Sequence, residues 1–272
     1  MAAPFKRILI ICKTYPSPSA KYAEASCIAG IDDDGKLVRL YPVPFRMLSD
    51  PRKFKKWQWI RARVEKSRND RRPESFKLLY DTIQLQGKPL STTANWRERR
   101  SWLQKLEVFD DFQELEKARQ ERGVTLALLQ PEKIERLDIT HAKSPEWSDA
   151  EKEKLLQIHN QMKLFDSGDA RHLQLLKKLP YEFHYEYRSG GRTWVHKIVD
   201  WEAGALFWNV YIRHGADWEQ PFRQKMEHDL PATDFKFLMG TIHRFPDQWL
   251  IVSLLYPPRQ SASGLQGHLF RE

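Results

Sequence analysis

Two carboxylates in the C-terminal half, Asp200 and Glu202, follow a predicted strand that carries Lys197. Nucleases that depend on Mg²⁺ hold the ion with two or three carboxylates, usually beside a lysine, at a strand end. The same residues also fit a helix start, because an Asp before a helix caps its free N–H groups and a Glu in the first turn complements the helix dipole. Capping is the favoured interpretation. A metal-dependent nuclease or nucleotide-processing activity that uses Asp200 and Glu202 is the alternative.

The rest of the chain lacks the motifs of other catalytic chemistries. It contains no Gly-x-x-x-x-Gly-Lys-(Ser/Thr) loop, no Gly-x-Gly-x-x-Gly turn and no Gly-x-Ser-x-Gly elbow. An NTPase, a dinucleotide enzyme and a serine hydrolase therefore lack their usual support. The histidines of the C-terminal region are dispersed rather than spaced as metal ligands. The sequence thus predicts no bound metal, no cofactor and a binding protein rather than an enzyme.

Charge is distributed unevenly along the chain. Residues 1–100 contain 22 Lys and Arg against 10 Asp and Glu, whereas the whole chain carries +9, so the remainder sums to −3. The segment Arg46–Lys77 alone holds 12 basic and 4 acidic residues, interleaved with Trp and Phe. Cations that neutralise phosphates release counterions, and aromatic rings stack on bases. This composition predicts that the N-terminal region binds nucleic acid.

Residues 57–64 have the two-residue alternation of a strand with one core face and one basic, aromatic face. The loop that follows contains three arginines, which could hold phosphates bidentately. Asp70 and Glu74 in the same loop either position these arginines or make it a solvated, salt-bridged turn. The candidate contacts on the strand and loop are Trp57, Trp59, Arg61, Arg63, Arg68, Arg71 and Arg72.

Short strands and helices alternate along the chain. Lys6–Cys12 is predicted as a buried strand, and Glu24–Ile31 and Lys36–Tyr41 as a hairpin closed by an Asp-Gly turn. Helical spacing predicts helices over Asn95–Leu106 and Phe112–Arg122. The later predicted elements are strands at 124–129 and 134–139, a helix at 149–163, strands at 181–187 and 192–199, helices at 201–213 and 218–229, and a hairpin within 235–256.

The longest apolar run, Ile8–Cys12, is far too short to span a bilayer, and the N-terminus lacks the pattern of a signal peptide. Two cysteines, Cys12 and Cys27, cannot form a disulfide framework. We therefore expect a cytoplasmic protein with no membrane partner.

The segments Lys13–Glu24, Cys27–Ile31 and Lys36–Pro42 contain a strand ending in Lys, a Ser-containing loop, a Cys-x-Ala-Gly strand and an Arg-x-x-Pro hairpin. This pattern resembles the dual-OB-like domains of uncharacterised prokaryotic proteins found near mobile elements and defence systems. The Trp-(Ile/Val)-Arg-Pro expected at the hairpin is absent here. The resemblance implies small β-barrels that bind single strands or nucleotides. Its implied ligand contacts are Lys13, Ser19, Lys21, Arg39 and Arg46.

The C-terminal segments Tyr181–Tyr187, Ser189–His196 and Asp200–Glu202 are similar to uncharacterised bacterial proteins with a zinc knuckle between a strand and a helix. Ser189 and its neighbours stand where the cysteines would be, and only His196 matches a ligand. A single histidine does not make a zinc site. The similarity therefore implies a degenerate knuckle that folds without zinc.

The predicted fold class is α+β, with an N-terminal OB-like β-barrel region and a smaller C-terminal α+β domain. The predicted organisation is a nucleic-acid-binding barrel region at 1–140 with a helical insertion at about 91–122, a helical linker at 141–175 and a degenerate zinc-knuckle-like domain at 176–272.

The predicted function is recognition of single-stranded or displaced-strand DNA or RNA in a bacterial antiviral-defence or mobile-element system, where the setting rests on the resemblance. Besides the nuclease alternative, the chain could be an adaptor that docks a larger protein complex through C-terminal aromatic residues. Trp201, Trp208 and Tyr211 recur there at helical spacing, although such a stripe usually faces a core.

Overall fold

The N-terminal unit is a closed barrel in the computed structural model, which describes residues 3–19, 23–67, 70–153 and 177–260. Its strands are β1 (Phe5–Lys13), β2 (Ser17–Ser19), β3 (Ala23–Asp32), β4 (Leu37–Val43), β5 (Trp59–Lys66) and β6 (Ser75–Gln86). Five strands close in the order β1-β5-β6-β4-β3, β3 pairs back to β1, and β2 extends β3. Only β4 and β6 run parallel within the barrel. This is the Greek-key arrangement of an OB-type barrel, so the predicted OB-like region is confirmed.

The barrel interior is built from the inward positions of its strands. Ile8, Ile60 and Val64 are fully or almost fully buried there. Gly30 leaves no room for a side chain between β3 and β1, because a Cβ at this position would be 2.4 Å from Ile8 Cγ2. The predicted hairpin turn is observed at Gly35, whose φ of +77° is readily adopted only by glycine.

The second unit is a seven-stranded sheet with helices. The helix α1 (Thr93–Leu103) follows the barrel and precedes this unit. The elements of the second unit are β7 (Val108–Phe109), α2 (Phe112–Arg122), β8 (Leu126–Leu129), β9 (Lys133–His141), β10 (Tyr181–Ser189), β11 (Arg192–Ile198), α3 (Trp201–His214), α4 (Glu219–Arg223), β12 (Lys236–Thr241) and β13 (Trp249–Leu255). The sheet order is β7-β8-β12-β13-β11-β10-β9. The pairs β7–β8 and β11–β13 are parallel, and the remaining pairs are antiparallel.

The sheet of the second unit is covered on both faces. On one face, α2, α3 and α4 contribute Leu115, Phe207 and Phe222 to the largest apolar cluster. On the other face, Leu128 and Leu238 pack with residues from the outside of the barrel in a second cluster. The barrel and the sheet are therefore joined by an apolar layer, here named the junction.

The boundary between the units differs from the predicted one. The strands β8 and β9 were expected in the barrel region, but they pair with β12 and β10 of the second sheet. The second unit thus begins near residue 108 and is larger than expected, and α2 packs on it rather than forming an insertion of the barrel. Every residue of β8 is buried, and such a short apolar run carries no signal of which sheet it joins.

The helix expected at 149–163 lies mostly outside the described residues. Its start is described, and there Ser148 Oγ accepts a hydrogen bond from the N–H of Glu151. In the described part of the chain, no helix has the length and apolar character needed to cross a membrane.

Candidate nucleic-acid interface

The outer side of β1 and β5 brings arginines and aromatic rings together. Phe5 pairs with Arg63, and Arg7 with Arg61, across the two strands. The guanidinium carbons of Arg61 and Arg63 lie 4.1 and 5.1 Å from the Phe5 ring centroid. That of Arg7 lies 4.2 Å from the Trp59 ring. Phe5, Arg7, Arg61 and Arg63 are here named the arginine face.

Few carboxylates neutralise the arginine face. Arg7 Nη1 lies 3.0 Å from Asp33 Oδ1, and both side chains are about half exposed. Such solvent-exposed ion pairs contribute little free energy, so Asp33 neutralises Arg7 only weakly. Arg61 donates to Gln84 at 3.4 Å, and the buried Arg63 Nε has no hydrogen-bond partner. Among the described residues, neither Arg61 nor Arg63 is ion-paired, so both remain open to an anion.

Arg39 lies in the junction between the two units. It is 2% exposed, and its Nη2 donates to the carbonyl of Thr125 at 2.7 Å while its Nε contacts Glu74 at 3.0 Å. Burial alone would lower the pKa of Arg39, but Cys27 and Glu74 outweigh it and raise the pKa. Its side chain therefore links barrel to sheet and is not presented to a phosphate.

Arg72 occupies a similar position in the loop between β5 and β6. Its Nη2 lies 2.6 Å from Asp70 Oδ2, and its Nη1 donates to the carbonyl of Thr241 in the second unit. Burial would raise the pKa of Asp70, but the hydrogen bonds and charge of Arg72 hold it well below its usual range. Asp70 therefore holds Arg72 in a buried ion pair, and Arg72 is neither solvated nor presented to a phosphate.

The other predicted contacts are scattered. Arg71 is exposed, and Arg46 is partly buried in the turn after β4. Ser19 ends β2, and Lys21 and Arg68 lie outside the described residues. Trp59 is 6% exposed because the ring of Trp102 in α1 covers it, with centroids 4.9 Å apart. The structure thus brings Arg61 and Arg63 together but not the whole predicted set.

A cleft of about 510 Å³ opens where the barrel, α1 and the second unit meet. Its walls combine cations, aromatic rings and one carboxylate. It is lined by Lys13, Lys55, Lys56, Trp57, Thr92, Trp96, Arg99, Trp201, Glu202 and Tyr256.

The backbone beside this cleft adopts an unusual conformation. Trp57 has a φ of +66°, and Ala94, Asn95 and Trp96 form a run with φ between +49° and +61°. Left-handed backbone costs an L-residue about 1–2 kcal/mol. Such strain persists where surrounding contacts impose it, and it concentrates at binding sites. The strand predicted to begin at Trp57 therefore begins at Trp59, and Trp57 instead lines the cleft.

Asp200 is the N-cap of α3, as the capping interpretation predicts, and it also fastens α3 to β13. Its Oδ1 accepts from the N–H of Glu202 at 2.6 Å. Its Oδ2 accepts from Ser253 Oγ at 2.9 Å and from the N–H of Leu254 at 2.6 Å. Burial raises the pKa of Asp200, and the charge of Lys56 opposes that shift. Both oxygens are already engaged by donors of the chain.

Lys56 completes this buried cluster. Its Nζ lies 2.7 Å from Glu202 Oε2 and donates to Ser253 Oγ and to the carbonyl of Leu254, each at 3.1 Å. Burial alone would lower the pKa of Lys56, but Asp200 and Glu202 outweigh it and raise the pKa. Within the described ranges, no group of three or more His, Cys, Asp or Glu side chains is placed to hold a metal ion.

Ser189, at the position of the implied zinc knuckle, makes hydrogen bonds to the chain itself. Its buried Oγ donates to the carbonyl of Asp110 and accepts from the N–H of Phe112, both at 2.9 Å. His196 Nδ1 lies 3.1 Å from the Tyr187 hydroxyl. Burial lowers the pKa of His196 to about 4, and repulsion from His184 contributes. Hydrogen bonds and packing therefore join β10, β11 and α2 here.

Several cleft residues were not predicted as a group. Lys55 and Lys56 were counted only as part of the basic segment, and Trp96 and Arg99 only as parts of a helix. Their convergence depends on the left-handed turn at 94–96, which has no glycine to signal it. Tyr256 directly follows β13, the last strand of the second unit, so only the docking of the units brings it there.

The fold and these sites define a class of two-unit proteins, in which an OB-type barrel with an open arginine face is docked on a helix-covered mixed sheet. Residues 108–271 match the profile of a domain of unknown function (DUF8757), and the chain belongs to that family. Residues 4–105 match a second domain of unknown function (DUF8758). The two matched regions meet where the barrel and α1 end and the second sheet begins. A search of curated proteins finds no match.

Proposed function

We propose that this protein binds single-stranded nucleic acid through the arginine face. The observation that supports the proposal is the stacking of Arg61 and Arg63 on Phe5 without a carboxylate partner among the described residues. Guanidinium groups bind phosphates bidentately and also present flat surfaces on which unpaired bases stack. A face with both properties fits a strand whose bases are not already paired.

The position of the second unit supports the choice of this face. OB-type barrels commonly bind oligonucleotides on the outer side of their second and third strands, which are β3 and β4 here. That side is covered in this protein, because Ala29 and Ile31 pack in the junction and Arg39 bonds to Thr125. The outer side of β1 and β5 carries the exposed Arg7 and Arg61 and the partly buried Arg63.

Binding of labelled oligonucleotides tests this proposal. Each phosphate of a single strand that the protein neutralises adds about −0.7 to the slope of log K against log salt. The loss of two such contacts therefore weakens binding about 25-fold at 0.1 M salt. We expect this loss for the Arg61→Ala/Arg63→Ala double variant, measured by fluorescence anisotropy with single- and double-stranded DNA and RNA. The slope should become less negative by about 1.4 in the same variant.

A matched control removes the same charge elsewhere. Lys117 on α2 and Lys133 on β9 are exposed and lie on the second unit. The Lys117→Ala/Lys133→Ala variant should bind almost as the wild type does. Equal weakening of both folded double variants would show that net charge, not the arginine face, governs binding. Tighter binding of duplexes than of single strands would refute the choice of ligand.

The cytoplasmic location and the setting in a defence or mobile-element system remain predictions from the sequence. The nuclease alternative gains no support from the geometry, since the chain's own donors occupy both oxygens of Asp200. The adaptor alternative has one favourable observation, the exposure of Tyr211 and Ile212 on α3 at 42% and 78%. Co-purification with a protein partner that is lost in an Ile212→Asp variant would support it.

A further inference from the structure

Lys13 presents an unpaired cation to the cleft. Its Nζ lies 4.2 Å from the ring centroid of Phe45 and 5.2 Å from that of Trp201. It has no hydrogen bond or salt bridge with the described residues. Burial lowers the pKa of Lys13, the charge of Glu202 opposes that shift, and repulsion from Lys56 adds to it. An anion in the cleft would supply the partner that this ammonium group lacks.

The cation most exposed in the cleft is Lys55, and its side chain also has no partner in the described chain. The third open charge, Arg99, is fixed by two hydrogen bonds to the carbonyl of Leu90, at 2.9 and 2.7 Å. Since Lys56 is paired with Glu202, the three remaining cations leave the cleft strongly positive. This excess favours a ligand that carries a phosphate rather than a neutral one.

The aromatic wall of the cleft is rigidly held. The rings of Trp57 and Trp96 meet edge to face with centroids 5.5 Å apart, and Tyr256 lies 5.8 Å from Trp96. Arg99 stacks against both indoles, at 5.0 and 4.5 Å. The left-handed turn at 94–96 directs Trp96 into this group. Trp57 and Trp96 are only 3% and 9% exposed, so a planar ligand in the cleft would stack on the partly exposed rings of Tyr256 and Trp201.

One acceptor in the cleft is still available. Glu202 Oε2 accepts from Lys56 and, at 3.4 Å, from the Tyr256 hydroxyl. The side chain of Glu202 is 44% exposed, and its Oε1 accepts no hydrogen bond from the described residues. A carboxylate oxygen at the rim of an aromatic wall suits the amino or imino N–H of a base.

We propose that this cleft binds one nucleoside phosphate. The phosphate lies between Lys13 and Lys55, the base lies against the partly exposed rings of Tyr256 and Trp201, and a base N–H donates to Glu202. The volume of about 510 Å³ is in the range of small-ligand sites. The nucleoside phosphate is either a free nucleotide or the phosphorylated end of a strand. The site is separate from the arginine face and does not depend on its function.

Calorimetric titration of the full chain with the four nucleoside 5′-monophosphates tests the site, with adenosine and inorganic phosphate as partial ligands. At least one monophosphate should bind about 10-fold more tightly than either partial ligand, because only it engages both the cations and the aromatic wall. Lys13→Gln and the exposed Lys55→Gln should each weaken binding about 10-fold, as loss of a charge-assisted hydrogen bond does. Lys117→Gln on α2 is the matched control and should leave binding unchanged.

Two further arms separate the sources of the ligand and the two proposed sites. If the ligand is a strand end, a 5′-phosphorylated oligonucleotide binds more tightly than its 5′-hydroxyl counterpart, and Lys55→Gln abolishes the difference. If it is a free nucleotide, the two oligonucleotides bind alike. The Arg61→Ala/Arg63→Ala variant should leave monophosphate binding unchanged. A result that refutes nucleic-acid binding by the arginine face therefore leaves this test intact. Absence of monophosphate binding at millimolar concentration, or equal affinities of folded Lys55→Gln and Lys117→Gln, would overturn the proposal.

Discussion

Replacement of Asp200 by alanine should destabilise the protein by far more than the loss of a helix cap. A cap alone contributes about 1 kcal/mol. Asp200 also accepts hydrogen bonds from Ser253 Oγ and the N–H of Leu254, and each buried donor left unpaired costs about 1–3 kcal/mol. Lys56 would lose one of its two neutralising carboxylates as well. Because Lys56 keeps its ion pair with Glu202, the cap and the two unpaired donors set the magnitude, and we expect a total loss of about 3–7 kcal/mol.

Urea denaturation of matched variants measures this difference. Asp111 is the N-cap of α2, and its carboxylate accepts from the N–H of Gln113 at 2.8 Å and from no other donor among the described residues. The Asp111→Ala variant should therefore lose only about 1 kcal/mol. Equal losses in the two alanine variants would refute the argument that the buried cluster fastens α3 to β13.

The same variant distinguishes the nuclease alternative. If Asp200 held a metal, its removal would relieve the clustered acidic charge, leave stability unchanged or improved, and abolish Mg²⁺-dependent cleavage. We expect instead that EDTA leaves the melting temperature of the wild type unchanged and that elemental analysis detects no stoichiometric zinc. A large loss of stability in EDTA would contradict the structural account of both Asp200 and Ser189.

Two further predictions concern pH and packing. The pKa of His196 is about 4 in the folded protein, below the value of about 6.5 for an unfolded chain. Between these two values the unfolded chain binds more protons than the folded one does. The folded state therefore loses stability as the pH falls through this window. The loss in the free energy of unfolding should reach about 2 kcal/mol at pH 5 and be smaller in His196→Phe. If the free energy of unfolding depends on pH in the same way in both proteins, the loss does not come from His196. Gly30→Ala should cost at least about 1–3 kcal/mol, because its Cβ would overlap Ile8 Cγ2 and the carbonyl oxygen of Leu9. Gly87→Ala is the comparison: its Cβ meets no atom within 4 Å, and it should cost only the left-handed strain at its φ of +67°, about 1–2 kcal/mol. Unchanged stability of Gly30→Ala in urea would show that the barrel strands can separate without cost.

Local signals in the sequence predicted much of the secondary structure. The helix Phe112–Arg122 is observed with the predicted bounds, and Gly123 ends it at a φ of +69°. The Asp-Gly turn at 32–35 and the Asp200 cap were also predicted, because each depends on a few neighbouring residues. The resemblance over the first part of the chain led to an OB-like barrel, and the strand order confirms it.

The environment of the candidate residues depended on contacts that local patterns do not encode. Arg39 and Arg72 were predicted as ligand contacts together with Arg61, yet they are buried against Thr125 and Thr241 of the other unit. Their burial follows from the docking of barrel on sheet, which joins residues far apart in the chain. The cleft was missed for the same reason, and the positive φ of Trp57 has no sequence signal because tryptophan seldom adopts it.

The junction makes each unit depend on the other for its stability. Separated from its neighbour, the barrel would expose Leu9 and Ile11 to water, and the sheet would expose Leu128 and Leu238. The two profile regions are therefore distinct in sequence but interdependent in stability. The chain should unfold in one cooperative step, and a fragment cut between residues 105 and 108 should associate through its bared surface rather than remain a monomer. Exchange of either region between relatives would need a matching set of apolar side chains on the other.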